Sequence, residues 1–131
     1  MIDVTDGGIS LEELVGRARR SDAGAIVVFI GTVGDDGIVG MDVESYREAA
    51  LPELERIQEE AIDRFRLRAV EVVHRVGRLC VGDVIVAIVC SAAHRDEAFL
   101  GCRYIIDELK SRVPIWKKEV GDGWERWIGL E

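Results

Sequence analysis

Lysine is scarce in this chain. There are three lysines against fourteen arginines, and the three fall within nine residues, at Lys110, Lys117 and Lys118. An excess of positive charge is also missing. The formal net charge is −8, which argues against DNA or RNA as a partner, because a free-standing nucleic-acid binder of this size is normally basic. Long apolar runs are absent. The stretches Ala25–Ile30 and Val84–Cys90 are far shorter than the roughly 20 residues of a membrane-spanning helix. The opening Met1-Ile-Asp-Val-Thr-Asp lacks the basic-then-apolar order of a secretory signal, so a cytoplasmic protein with no membrane partner is expected. Cysteines number three, at Cys80, Cys90 and Cys102. Their odd count, wide spacing and partly apolar surroundings predict buried free thiols, not a disulfide framework. No C-x-x-C or H-E-x-x-H occurs, and neither His74 nor His94 has a ligand-spaced acid or thiol beside it. A zinc site is not expected.

What is present suffices for one compact domain over residues 1–131. Nearly half of the residues, 48%, are hydrophobic, enough for a core without staples. Ser10-Leu-Glu-Glu13 is a capping box that opens a helix to about Arg20. Gly24–Val33 is a near-continuous apolar run and predicts a central strand. A loop at Gly34-Asp-Asp-Gly37 leads to a strand over Val39–Tyr46. Pro52 suits the first turn of a helix to about Phe65, with Leu54, Ile57, Ala61 and Phe65 on one face. Val70 to Val76 alternates as a strand, and a Gly82-Asp83 turn leads to the strand Val84–Cys90. Asp96–Arg112 predicts a helix with an apolar stripe of Phe99, Cys102, Ile106, Leu109 and Val113, stopped by Pro114. Ile115–Val120 and Trp124–Ile128 flank Gly121-Asp-Gly123, a hairpin signal. The expected fold is α+β, a mostly antiparallel sheet with helices packed on it.

The lysines carry the chemical signal. In a chain that otherwise uses arginine, a lysine suggests a task arginine cannot do, since a desolvated amine can lose its proton and a guanidinium cannot. A neutral amine serves as base or nucleophile. The plainer reading is a solvated cationic helix end, favourable to the helix dipole. Lys117 and Lys118 should face opposite sides of an extended segment, so only one of them can join Lys110 in a pocket. Ser91-Ala-Ala-His94-Arg95 lies where a buried strand opens into a helix, a common anion site, although a helix-cap neighbour and a surface arginine would look the same. Arg103 is seven residues before Lys110 and shares its helix face, but Arg103 also stands four before Asp107, with which it can pair. His74 reads as a core histidine, and the three late tryptophans as core or interface packing.

In order along the chain, Ser91-Ala-Ala-His94-Arg95 and Leu109-Lys110-Ser-Arg-Val-Pro114-Ile-Trp116-Lys117-Lys118-Glu119 closely resemble the signature of the molybdopterin synthase large, catalytic subunit, the MoaE family. Gly24–Gly31 and Val73-His74-Arg75-Val-Gly77 are similar to that family too, and the likeness runs from about residue 24 to 128. The resemblance implies an α/β hammerhead-like fold and a cytoplasmic heterotetramer. In it a homodimer of large subunits carries two small ubiquitin-like sulfur carriers, each ending in a Gly-Gly thiocarboxylate. Sulfur would pass from that tail to cyclic pyranopterin monophosphate, forming the dithiolene of molybdopterin without metal or organic cofactor. The catalytic lysines of the family match Lys110 and Lys117. Its substrate-binding pair matches His94 and Arg95, supplied by the neighbouring large subunit.

Two departures stand out. Where the family usually reads Gly-Lys-Val-Arg, this chain has Gly31-Thr32-Val33-Gly34, so either Arg103 or another arginine near the pocket is expected to replace the missing substrate arginine, or substrate binding is weaker. The chain also ends soon after Trp127, where some relatives continue. These departures leave an alternative, a diverged non-catalytic paralogue that docks a ubiquitin-like tail.

Overall fold

A computed structural model describes residues 1–128. In chain order its elements are β1 (Ile2–Thr5), α1 (Leu11–Ala18), β2 (Ala25–Thr32), β3 (Gly40–Ser45), α2 (Arg47–Phe65), β4 (Leu67–Arg75), β5 (Gly77–Cys80), β6 (Val84–Ala92), α3 (Arg95–Arg112), β7 (Ile115–Gly121) and β8 (Trp124–Ile128). The fold is α+β, and the strands divide into two four-stranded sheets, ordered β1-β4-β6-β2 and β5-β3-β7-β8. Among the described residues only the β1–β4 pairing is parallel; the rest are antiparallel.

β6 explains the first sheet. Its residues from Ile85 to Ala92 are all buried, which is why this strand is an unbroken apolar run. One face meets a small cluster under α1, built on Leu14, Ala18, Val73, Ala87 and Val89. The other meets the main core, where α2 contributes Leu54 and Ile57 and α3 contributes Ile105 and Leu109. Truncating either Leu54 or Ile57, each 1% exposed, to alanine should cost about 2–5 kcal/mol. Among the described residues no helix is long and apolar enough to cross a membrane.

Most elements lie where the sequence places them. Ser10 caps α1, its Oγ accepting from the Glu13 N–H at 3.2 Å. The β7–β8 turn is the two-residue Asp122-Gly123, with Gly123 at φ +79. Three readings change. Helix α2 begins at Arg47, five residues before Pro52. Pro52 removes only the bond to the Glu48 carbonyl in the first turns, and burial of Ala50 and Leu54 on the same helix offsets that loss. The short strands β1 and β5 carry too few buried residues to announce themselves. On α3 the buried stripe is Ala98, Gly101, Cys102, Ile105 and Leu109, whereas Phe99 is 61% exposed. The stripe is thus rotated from the expected one, because Leu67 of β4 packs where a side chain at Gly101 would be and draws that face inward.

Candidate active site

The α3–β7 corner builds the site. Leu109 buries the last turn of α3, Val113 caps it with its N–H on the Leu109 carbonyl, and Pro114 forbids a further turn. The Ser45 hydroxyl donates to the Pro114 carbonyl at 3.1 Å and ties the corner to β3. Arg112 clamps the same helix end to α2. Its guanidinium reaches Glu53 at 2.7 Å, Glu60 at 2.6 Å and Glu108 at 3.0 Å. The Arg112 bonds, with the Tyr104 hydroxyl next, hold the Glu60 carboxyl down at about 2, so this clamp is charged at any ordinary pH.

Lys110, on the last turn of α3, and Lys117, on β7, line one cleft of about 300 Å³. Its wall carries Met41, Leu109, Val113, Ile115 and Ile128. Its polar rim carries Thr32, Gly34, Asp36, His74 and Glu119. Lys117 is partly buried, and desolvation, followed by the positive charge of Lys110, lowers its pKa from the ordinary lysine value. Lys118 has the opposite fate. It points to the other face of the sheet, 2.6 Å from Glu125 and 3.6 Å from Asp42, with its ammonium over the Trp127 ring; these carboxylates raise its pKa, Glu125 foremost.

Two further residues of the cleft were not singled out as functional from sequence. Glu119 is buried and paired with Arg126 at 2.5 Å. Its place two residues after Lys117 on the same strand face was a usable signal. His74 is 1% exposed, as a core histidine should be, yet it also borders the cleft. Burial, chiefly, with Lys117 adding to it, takes its pKa down to about 4.

Three expected substrate-binding residues lie elsewhere in the chain. His94 is the N-cap residue of α3 and makes no side-chain cap bond; its ring is 80% exposed, 3.9 Å from Glu97. Arg95 beside it is exposed. Sixteen residues of helix separate His94 from Lys110, about 24 Å, so within one chain the pair cannot reach the lysine cleft. Arg103 is 83% exposed, lies 3.6 Å from Asp107, and borders an apolar groove with Val28, Phe29, Phe99 and Ile106 instead of the cleft. Within its own chain Arg103 therefore stands on a different surface from the cleft that position 34 borders. Position 34 itself borders the cleft, and a side chain there would meet nothing within 4 Å. Among the described residues no group of three His, Cys, Asp or Glu side chains is placed to hold a metal ion.

Two amines, that of Lys117 with a lowered pKa, and an apolar wall suit an anionic, planar ligand and a reaction that develops negative charge. The chain is similar to known proteins over most of its length. The family described as MoaE protein matches residues 4–112. A molybdopterin synthase catalytic subunit of Pyrococcus abyssi is 44% identical over 91% of this chain and 83% of its own length. The crystal structure of molybdopterin synthase from Staphylococcus aureus superposes with a TM-score of 0.92 at 31% identity, covering 96% of this chain and 95% of that one. A protein–protein complex of subunits 1 and 2 of molybdopterin-converting factor from Helicobacter pylori contains the same fold, at a TM-score of 0.81 and 22% identity, covering 96% of this chain and 88% of that one.

Proposed function

The chain belongs to the MoaE family, whose curated members are molybdopterin synthase catalytic subunits, and from that premise we propose that it transfers sulfur from the C-terminal thiocarboxylate of a small ubiquitin-like carrier to cyclic pyranopterin monophosphate. The observation that carries this reading is the convergence of Lys110 and Lys117 on one cleft. A thiocarboxylate tail ending in Gly-Gly is slim enough to enter such a cleft. Once the thiocarboxylate sulfur has bonded to the pterin, water attacking the tail's carbonyl breaks the acyl carbon–sulfur bond, leaving sulfur on the pterin and a carboxylate on the tail; the negative charge that develops is one the Lys110 ammonium is positioned to stabilise. Lys117, with its depressed pKa, is the better proton acceptor as the cyclic phosphate opens.

The working unit in this reading is a homodimer carrying two small subunits, at home in the cytoplasm. Its support is twofold. His94 and Arg95 sit a helix-length from the lysines of their own chain and are free to serve a neighbour. β2 is an edge strand whose Ile26, Val28 and Ile30 are 37–40% exposed, and Val28 borders a groove with the exposed Phe99, an apolar edge suited to a second copy.

Incubation with a thiocarboxylated small subunit and the cyclic pterin should yield dithiolene product. No product, with small-subunit binding intact, would favour the alternative of a non-catalytic docking paralogue. The shared site has its own test. Lys110→Ala and Arg95→Ala enzymes should each be inactive alone. Mixed and re-equilibrated, they should regain roughly a quarter of wild-type sites through heterodimers that hold one complete site. Absence of complementation would place both residues in one chain's site or remove Arg95 from the mechanism.

A further inference from the structure

We propose that Arg66, beside His94 and Arg95, completes an anion site for a phosphate group at one end of the first sheet. Only the identification of that phosphate with the one on the cyclic pterin rests on the sulfur-transfer reading. Among the described residues every arginine but four has a carboxylate partner. The four are Arg19, Arg64, Arg66 and Arg95, in a chain whose net charge is −8. All four stand at the same end of the sheet, because Ala25 of β2 and Leu67 of β4 both pair with Ala92 of β6. Arg64 is otherwise engaged, its guanidinium 5.3 Å from the Tyr104 ring and 5.8 Å from that of Phe65. Arg19 borders a separate recess with Arg20, Ala23 and Gly24. Arg66 and Arg95 remain.

Their nearness follows from register. Leu67 pairs with Ala92, so one further residue sets Arg66 opposite Ala93, about 4.8 Å across the sheet, with His94 and Arg95 next in the chain. The corner is braced. Gly24 donates its N–H to the Ala92 carbonyl at 3.0 Å, and Arg20 donates to the Arg68 carbonyl at 3.0 Å. Arg68 in turn donates to the Asp22 carbonyl at 3.3 Å and the Arg66 carbonyl at 3.4 Å. Arg66 closes α2 in the left-handed region, at φ 56 and ψ 41. Among the described residues no other non-glycine has a positive φ. Glycine or asparagine takes such a place at least cost. An arginine kept there with its side chain exposed points to a task for the side chain. The acids nearby are Asp96 and Glu97 in the first turn of α3; Glu97 lies 3.9 Å from His94. Two guanidinium forks beside an imidazole match the donors that phosphate oxygens accept.

Arg66→Gly tests the site, since it removes the guanidinium and relieves the backbone; its melting temperature should equal or exceed that of wild type. Binding of inorganic phosphate, followed by phosphorus NMR, needs no sulfur transfer. The Kd for phosphate should rise about tenfold in Arg66→Gly through loss of a charge-assisted contact. It should stay within about twofold of wild type in Arg19→Ala, which removes the same charge from the separate recess. In the sulfur-transfer assay the KM for the cyclic pterin should rise about tenfold in Arg66→Gly, at little change in kcat. No phosphate binding by wild type, an unchanged Kd in Arg66→Gly, or an equal loss in Arg19→Ala, the sign of a diffuse field, would overturn the proposal. A phosphate effect with an unchanged KM would keep the site and assign it to free phosphate. Wild-type protein without sulfur transfer but with Arg66-dependent phosphate binding would sink the proposed activity and leave the anion site standing.

Discussion

Lys117 and Lys118 are adjacent in the chain and opposite in circumstance. One enters a half-enclosed cleft beside another lysine; the other lies between two carboxylates under an indole ring. The backbone supplies the whole difference, because successive residues of a strand face opposite ways. The pocket face of β7 gathers Ile115, Lys117 and Glu119. The outer face gathers Trp116 and Lys118, with Trp127 across from it on β8. Desolvation and like charge lower one amine; paired carboxylates raise the other. Of two neighbouring lysines on one strand, one is thus a cleft amine with a lowered pKa, the one proposed to react, and the other a paired cation.

Removing the reactive side should have the largest effect. Lys117→Ala or Lys110→Ala should reduce single-turnover sulfur transfer about a hundred- to a thousandfold, the usual consequence of deleting a group that stabilises developing charge. Lys110 is exposed at a helix end, so its loss should cost about 0.3–1 kcal/mol of stability. Thermal melts beside the kinetics check both statements.

The fold positioned around this comparison was legible in large part. The capping box at Ser10, the apolar run of β6, the Pro114 stop and the Asp122-Gly123 turn are local signals, and each element forms close to where its signal stands. The opposite facing of Lys117 and Lys118 is also local, a period-two consequence. What sequence could not show is tertiary. That the strands split into two sheets depends on pairings such as Val43 with Lys117, which no local pattern encodes. The rotated stripe of α3 depends on Leu67 packing at Gly101. Arg103 and Lys110 share a helix face at seven-residue spacing, yet about 10 Å of rise separates them, so helical phase alone overstated their closeness. His74 satisfied the criteria of a core histidine and still bordered a cleft, because burial and pocket access are not exclusive.

The cleft side is also sensitive to pH through His74. Its folded pKa, about 4, lies below the ordinary 6.5, so the unfolded chain binds its proton first. The associated stability is fully present above about pH 6.5 and is lost as pH falls from there toward 4. The full loss is roughly 3 kcal/mol. Denaturation midpoints of wild type and His74→Gln across pH 7 to 4 should differ in slope, with the variant flatter; parallel curves would count against a buried neutral imidazole.

A smaller gain is expected from sharpening the positive side of the cleft. Position 34 borders it with open space, so Gly34→Arg should be accommodated and should supply a bidentate phosphate contact. The KM for the cyclic pterin should fall about tenfold, a change worth about 1.4 kcal/mol. An unchanged KM in a folded variant would show that the cleft does not need a cation there.

On the outer face, Lys118→Ala should do least. It breaks the contacts to Glu125 and Asp42 but touches no part of the cleft, so sulfur transfer should stay within about twofold of wild type. A large kinetic loss would blur the division between the two faces of β7.

The central claim is that Lys117 acts as a tuned amine and not only as a fixed positive charge. Lys117→Arg tests it most directly, in single-turnover transfer from a thiocarboxylated small subunit to the cyclic pterin across pH 6 to 9. Arginine keeps the charge but cannot release its proton. The account predicts a rate close to that of Lys117→Ala at every pH. A Lys117→Arg enzyme with wild-type rate and pH profile would contradict it and reduce the lysine to an electrostatic anchor.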